Sequence, residues 1–414
     1  MRIAPVLRPA GIAALPLLAV GCGADARAAG PVVRDSAGIT VVENAAPAWR
    51  EGEGWTVSAE PLLDVGVTDG DPAYQFSEVA GAVRLGAGTL VVADNGSKDL
   101  RFYDARGRHL RTAGRQGGGP GEFERVDALA RLAGDSLLVW DSKLIRATVF
   151  GPDGALARVV RPAGLEGMTP RFRGAFADGA FVGAQGFDPQ KYFEARPGER
   201  RDTVVYLRFS PAGALRDTLA RVPGQEIYLD KSDGGFSTNA VVFGRDGLLR
   251  VAGDRFFVGD NGTYQVAEHS ADGALRRLVR RARPPVEATA DDVRRYHEER
   301  ESRRDYSKAP PSMRAFMQKM AERERNAPHR ATFPAFASFR LDEAGNLWVE
   351  DYRRPGDEQP RWSVFDPEGR WLGTVETPAG LEVYAIGGDW ILGKAKDDLD
   401  VEHVRLYRLE RPGA

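Results

Sequence analysis

Short apolar runs, each closed by an acid or another polar residue, recur along this chain. They read GTLVVAD (Gly88–Asp94), DSLLVWD (Asp135–Asp141), GAFVGAQ (Gly179–Gln185), DRFFVGD (Asp254–Asp260), GNLWVED (Gly345–Asp351) and GDWILGK (Gly388–Lys394). Runs this short, rich in β-branched and aromatic residues and bounded by turn residues, predict strands in hairpins. After each comes a second signature: a strand, a turn of the type Asp-x-x-Gly, and another strand. It reads FYDARGRHLRTAG from Phe102, FGPDGALARVVRP from Phe150, FSPAGALRDTLAR from Phe209, HSADGALRRLVRR from His269 and FDPEGRWLGTVETP from Phe365. A sixth copy starts at Val404 and reaches the last residue before its final strand. Two hairpins, at Asp94-Asn95-Gly96-Ser97 and Asp260-Asn261-Gly262-Thr263, carry Asn-Gly. That pair predicts a type I′ turn with both central residues at positive φ.

The copies keep a period. Gly66 answers Gly114, Pro72 answers Pro120, Phe76 answers Phe123, Asp94 answers Asp141 and Tyr103 answers Phe150, at an offset of 47 or 48 residues. Six four-stranded units at a fixed period predict an all-β fold, a six-bladed β-propeller. The stretch Trp55–Gly66 aligns with the final strand of a unit yet precedes the first one. It is expected to close the last blade, so that no sheet edge is left open to pair with another chain. Gly38–Trp49 reads as an extra edge strand.

One segment breaks the period. Between units four and five, residues 286–330 follow a helical pattern and predict an insertion. Thr289 with Asp292 three residues on reads as an N-cap, followed by a charged helix over Asp291–Asp305. Ser312 is expected to cap a second helix, with Met313, Phe316, Met317 and Met320 at i, i+3, i+4 and i+7. This narrow apolar stripe docks on the protein's own surface as a flap, closes one mouth of the central tunnel, or offers a partner an adaptable face.

The phrase GRQGGGPGEF (Gly114–Phe123), followed by a strand, a V-x-D hairpin and an F-x-x-x-G turn, resembles an NHL-type repeat. The chain from residue 38 to 414 resembles exported bacterial six-bladed propellers of the NHL and TolB-like group. The resemblance implies that the glycines and proline build the loop between blades, and that the Phe packs between neighbouring sheets. It also implies an alternative activity, because six-bladed lactonases and lyases hold Ca²⁺ or Zn²⁺ in the tunnel. The residues placed to do so here are Glu78, Glu124 and Asp127, with Arg171, Arg173, Asn239 and Arg340 at comparable places in later blades. That mixture departs from an oxygen cage, so no metal or cofactor is assigned and no catalytic residue is named.

Composition agrees with a large turn-rich domain. The chain has 414 residues, 42% hydrophobic, with 48 Gly and 26 Pro. The net charge of −2 gives no global field that would favour nucleic acid. At the N-terminus, Arg2 and Arg8 precede an apolar stretch, Ala10–Val20. It is shorter than the roughly 20 residues a membrane span needs. It runs into Leu18-Ala19-Val20-Gly21-Cys22, which resembles a bacterial lipobox. Residues 1–21 are therefore expected to be a lipoprotein signal peptide, Cys22 the lipid attachment site, and 22–37 a tether. The alternative is an ordinary secretory signal cut a few residues later. Cys22 is the only cysteine, so no internal disulfide is possible.

Other candidate chemistry dissolves on inspection. Gly134-Asp135-Ser136-Leu137 spells a hydrolase motif but aligns with a β-turn. The five histidines show no paired metal-ligand spacing. The acids Asp94, Asp141, Asp260 and Asp351 recur at one repeat position and are expected to bond within their hairpins. The expected role is a binding scaffold for a protein, peptide or glycan, anchored in the cell envelope and facing the periplasm or on the outer membrane. The alternative is a metal-dependent, lactonase-like hydrolase or lyase in the tunnel.

Overall fold

The computed structural model describes residues 30–165, 169–186, 188–231, 235–304, 306 and 309–412. Cys22 and the signal segment lie outside them. The fold is all-β and propeller-like. Among the described residues its strands form six sheets, built from hairpins that follow chain order, with N-terminal strands added to the fourth and the sixth. The first sheet runs from Val79–Arg84 through Leu90–Asp94 and Asp99–Tyr103 to His109–Ala113. The second runs from Ala128–Arg131 to Leu156–Val160 with the same antiparallel order.

The cores explain how the sheets are held. Apolar residues from facing sheets interlock in six clusters, each joining two sheets that are neighbours in the chain or joining the last to the first. Phe102 of the first sheet meets Phe123 and Phe150 of the second. Trp140 of the second meets Phe181 and Phe209 of the third. Trp390 and Leu392 of the sixth meet Val92 and Tyr103 of the first. Alternation along each strand puts residues on both faces, so a strand such as Leu90–Asp94 is buried throughout.

The sixth sheet draws on both ends of the chain. Glu402–Glu410 pairs antiparallel with Thr56–Val65, Val404 opposite Val65 and Glu410 opposite Thr56. On the fourth sheet, Ile39–Asn44 adds a parallel strand outside Leu275–Arg281, and Val32–Ser36 adds another outside that. Asn44 fastens this addition. Its buried amide donates to the Arg280 and Gly369 carbonyls at 3.0 Å and accepts from Trp371 N–H at 2.8 Å.

The Asn-Gly hairpins are not type I′. Among the described residues neither asparagine nor the following glycine takes positive φ; in the first hairpin Lys98 does, at 61°. Both asparagines serve as staples between sheets instead. Asn95 Oδ1 accepts from Val126 N–H at 2.9 Å, and Asn261 Nδ2 donates to the Phe336 carbonyl at 3.2 Å. Gly96 is needed for space, since a Cβ there would lie 1.7 Å from Ser77 Oγ. The glycine-rich loop behaves as the repeat implies. A Cβ on Gly114 would meet the Phe123 ring at 2.6 Å, and Arg146 donates to the Gly118, Gly119 and Glu122 carbonyls.

Among the described residues three α-helices interrupt the strands: α1 (Pro189–Glu194), α2 (Ala290–Ser302) and α3 (Pro311–Arg325). α2 opens on the expected capping box between Thr289 and Asp292. It ends at Ser302, short of the expected Asp305, which lies outside the described residues. α3 starts earlier than the expected Ser312 cap, with Pro310 at the cap and Pro311 at N1, where a missing N–H costs nothing. α2 packs through Val293 and Tyr296 onto Phe243, Phe333 and Tyr352. Phe243 sits beneath it in the left-handed region at φ 57°. The flanking backbone holds that strain: Val242 N–H donates to Pro328 and its carbonyl accepts from Arg330. α3 does not follow suit. Met313 and Phe316 are 52% and 57% exposed, so the outer half of the stripe does not dock on the protein itself.

Candidate functional site

A wide concavity lies where the fourth sheet meets the fifth, beside the base of the helical segment. It has a volume of about 1330 Å³. Its walls are the Gly262–Gln265 turn, the chain leaving the fourth sheet at Arg280–Val286, the Thr332–Ala335 return and the long loop after Glu350. Seven arginines line it (Arg245, Arg280, Arg281, Arg283, Arg353, Arg354 and Arg361) against the carboxylates of Glu43, Asp351, Asp357 and Glu358. Pro284, Pro285, Phe333, Pro334 and Tyr352 supply apolar wall.

Asp351 organises the floor. It receives Arg283 Nη1 at 3.1 Å and Arg281 Nη1 at 3.5 Å, with the Tyr264 hydroxyl at 3.4 Å. Arg281 is gripped further: it lies over the Trp371 ring at 3.9 Å and donates to Ser363 Oγ at 2.6 Å. Burial, then the Asp351 charge, pushes the Tyr264 phenol well above its ordinary range, so it stays a hydroxyl donor.

At the roof, Arg354 donates to both carboxylate oxygens of Asp292, at 2.8 and 3.1 Å. This bond, with the Thr289 cap, holds Asp292 down at about 2. It ties α2 to the wall of the cleft. Arg245 has a different environment. Its side chain donates to Thr332 Oγ1 at 2.5 Å, and burial lowers its pKa. Among the described residues it joins no ion pair.

Guanidinium forks over apolar wall suit one kind of chemistry, the capture of carboxylate, sulfate or phosphate groups on a larger ligand. No family model matches this chain. No curated protein matches it either. Among solved structures, a protein described as exported, from Bacteroides fragilis, aligns at 10% identity and TM-score 0.45. That alignment covers 90% of this chain and 99% of the other. Virginiamycin B lyase from Staphylococcus aureus aligns at 9% identity and TM-score 0.39, over 86% of this chain and 99% of the lyase. A gluconolactonase from Xanthomonas campestris aligns at 13% identity and TM-score 0.36, over 86% and 100%. Likenesses this distant carry no argument about the site.

The residues singled out from the sequence are dispersed. Glu78 accepts from the Asn95 amide. Glu124 pairs with Lys143 at 2.8 Å. Asp127 pairs with Arg125 at 2.7 Å and caps Ser142 N–H at 2.7 Å. These three are not brought into one metal-holding cluster among the described residues. Asn239 falls on the outer strand Ser237–Ala240 of the third sheet, away from the inner strands. Of the four recurring acids, Asp94 and Asp141 bond within their turns, and Asp260 does so while also pairing with Arg201. Asp351 alone turns into the cleft. The sequence held one sign of this, the long polar loop after it, YRRPGDEQP, where its counterparts have a short turn.

Proposed function

We propose that this chain is a six-bladed propeller, exported and lipid-anchored through Cys22, that works as a binding scaffold in the cell envelope. It holds an acidic segment of a protein, peptide or glycan in the cleft between sheets four and five. The observation that carries the reading is the cleft itself, a wide cationic concavity whose floor is organised by Asp351 and whose roof is tied to α2. Six inter-sheet cores, the last joining the sixth sheet to the first, support the six-bladed ring. The exposed stripe of α3, Met313 and Phe316 with Met317 and Met320 behind them, is the second partner face of this reading.

The test is binding of the full chain to an immobilised panel of acidic and neutral peptides and glycans. Acidic members are expected to bind, and Arg245→Glu or Arg283→Glu to weaken them about tenfold or more. Equal binding by wild type and both variants would remove the cleft from the function. Cys22→Ser is expected to move the protein from the detergent phase to the aqueous phase; unchanged partition would end the lipid-anchor reading. Chelation is expected to leave the melting temperature unchanged. A stoichiometric Ca²⁺ or Zn²⁺ with a large melting shift would instead restore the tunnel hydrolase.

A further inference from the structure

The inner edges of the sheets carry a second concentration of positive charge, separate from the cleft. The first strands of sheets three, four and five, Arg171–Ala175, Gly247–Ala252 and Ser338–Leu341, lie side by side in that order. Each contributes one arginine to the same inner region: Arg173, Arg250 and Arg340. Their proximity shows in their electrostatics. Burial lowers the pKa of Arg250, and the Arg173 charge is the next cause. Burial brings Arg340 down to about 10, and the Arg250 charge is the next cause. Arg250 therefore stands between the other two, with a like charge on either side.

Nothing in the described protein neutralises them directly. The only side-chain bond of Arg250 is to the adjacent Leu249 carbonyl at 3.1 Å. Arg173 and Arg340 join no hydrogen bond or ion pair among the described residues. The nearby carboxylates are otherwise engaged or weakened. Glu382 is paired with Lys394 at 3.4 Å, Glu350 accepts from Ser338 at 2.7 Å, and burial raises the pKa of Asp246. Arg250 and Arg340 are half-buried and Arg173 is exposed, and a partly buried charge without a partner is costly. The region is also reachable. Arg173 lines a cavity of about 1000 Å³ at the boundary of sheets two and three. Trp140, whose buried indole N–H has no acceptor, lines the same cavity.

We propose that Arg173, Arg250 and Arg340 form a binding site for a small multivalent oxyanion, of carboxylate or phosphate type, at the inner edge of sheets three to five. Planar guanidiniums pair their donors readily with the oxygens of such an ion. The ion would relieve the mutual repulsion, so site and fold stability are linked. The site is independent of the cleft and survives if the cleft reading fails.

The experiment is calorimetric titration of the full chain with citrate and, separately, with inorganic phosphate, against sodium chloride of matched ionic strength. Saturable one-to-one binding of at least one probe is expected, with a rise in melting temperature. Citrate alone would mark a carboxylate ligand, phosphate alone a phosphoryl ligand. Arg340→Gln and Arg250→Gln are each expected to weaken binding on the order of thirtyfold. Both are also expected to melt no lower than wild type without the anion, since each removes repulsion. Arg276→Gln, an exposed charge on the strand Leu275–Arg281 of the fourth sheet, is expected to bind as wild type. The proposal is overturned if neither probe saturates, or if Arg340→Gln and Arg250→Gln bind as tightly as wild type.

Discussion

The second and fifth sheets place an aspartate at the same repeat position and use it in opposite ways. Asp141 is fully buried and accepts four backbone N–H groups, from Glu124, Arg125, Lys143 and Leu144. It locks a short turn, residues 142–145, to the incoming inner strand. Asp351 begins a longer loop, residues 351–360, and has no turn to lock. Its carboxylate faces Arg281, Arg283 and Tyr264 instead. The same chemistry, a carboxylate collecting N–H donors, is structural where the hairpin is tight. Where the loop lengthens, it becomes part of a concave surface. A repeat scaffold thus yields a site by loosening one copy, leaving the strands around it unchanged.

The largest effect that would sharpen this contrast is on folding. Asp141→Ala leaves four buried N–H groups without an acceptor and is expected to cost about 3 kcal/mol or more in urea unfolding. Asp351→Ala is expected to cost about 1 kcal/mol or less, because water reaches its arginine partners. It should also tighten binding of acidic ligands several-fold by freeing Arg281 and Arg283. Equal destabilisation by the two variants would break the comparison.

The next effect concerns the roof. Arg354 and the Thr289 cap hold Asp292 at about 2, below its ordinary 3.8. A depressed carboxylate contributes its stability above the unfolded value and loses it as the pH falls through the folded one. Asp292→Asn is therefore expected to lower the melting temperature at pH 5 to 7. The gap from wild type should close between about pH 4 and pH 2. A gap that persists below pH 2 would show that packing, not charge, holds α2. The smallest effect is at α3. Phe316→Ser is expected to change stability by less than about 0.5 kcal/mol, since the ring is mostly exposed. A loss above 1 kcal/mol would mean that the stripe packs on the protein and is no partner face.

Much of the architecture was legible because it is local. The hairpins at Leu90–Tyr103 and Leu137–Phe150 announce themselves through apolar runs and turn residues that need only their neighbours in sequence. The Thr289–Asp292 capping box is equally local. Local pattern misleads where a residue's role depends on a distant partner. Asn95 and Gly96 looked like turn formers and act through Val126 and Ser77. Glu78, Glu124 and Asp127, placed near the tunnel by the repeat, are each taken by a different local partner. The Met313–Met320 stripe has helical spacing either way, and spacing is silent on what a helix faces.

By itself the sequence determined the strand pairs, the period and the break in that period between units four and five. It also carried the spare N-terminal strand, Thr56–Val65, that completes the last sheet. These follow from alternation, turn chemistry and length, which act over a few residues. Tertiary structure alone decided the cleft and set Arg250 between Arg173 and Arg340, two residues that the repeat alignment places at comparable positions. Arg245, Arg281, Arg354 and Asp292 lie tens of residues apart, as do Arg173, Arg250 and Arg340. What brings each set together is the rotation of one sheet against the next, set by interlocking aromatic residues such as Phe257, Phe336 and Phe339. No pattern within one repeat encodes that rotation, so no reading of single repeats finds what it brings together.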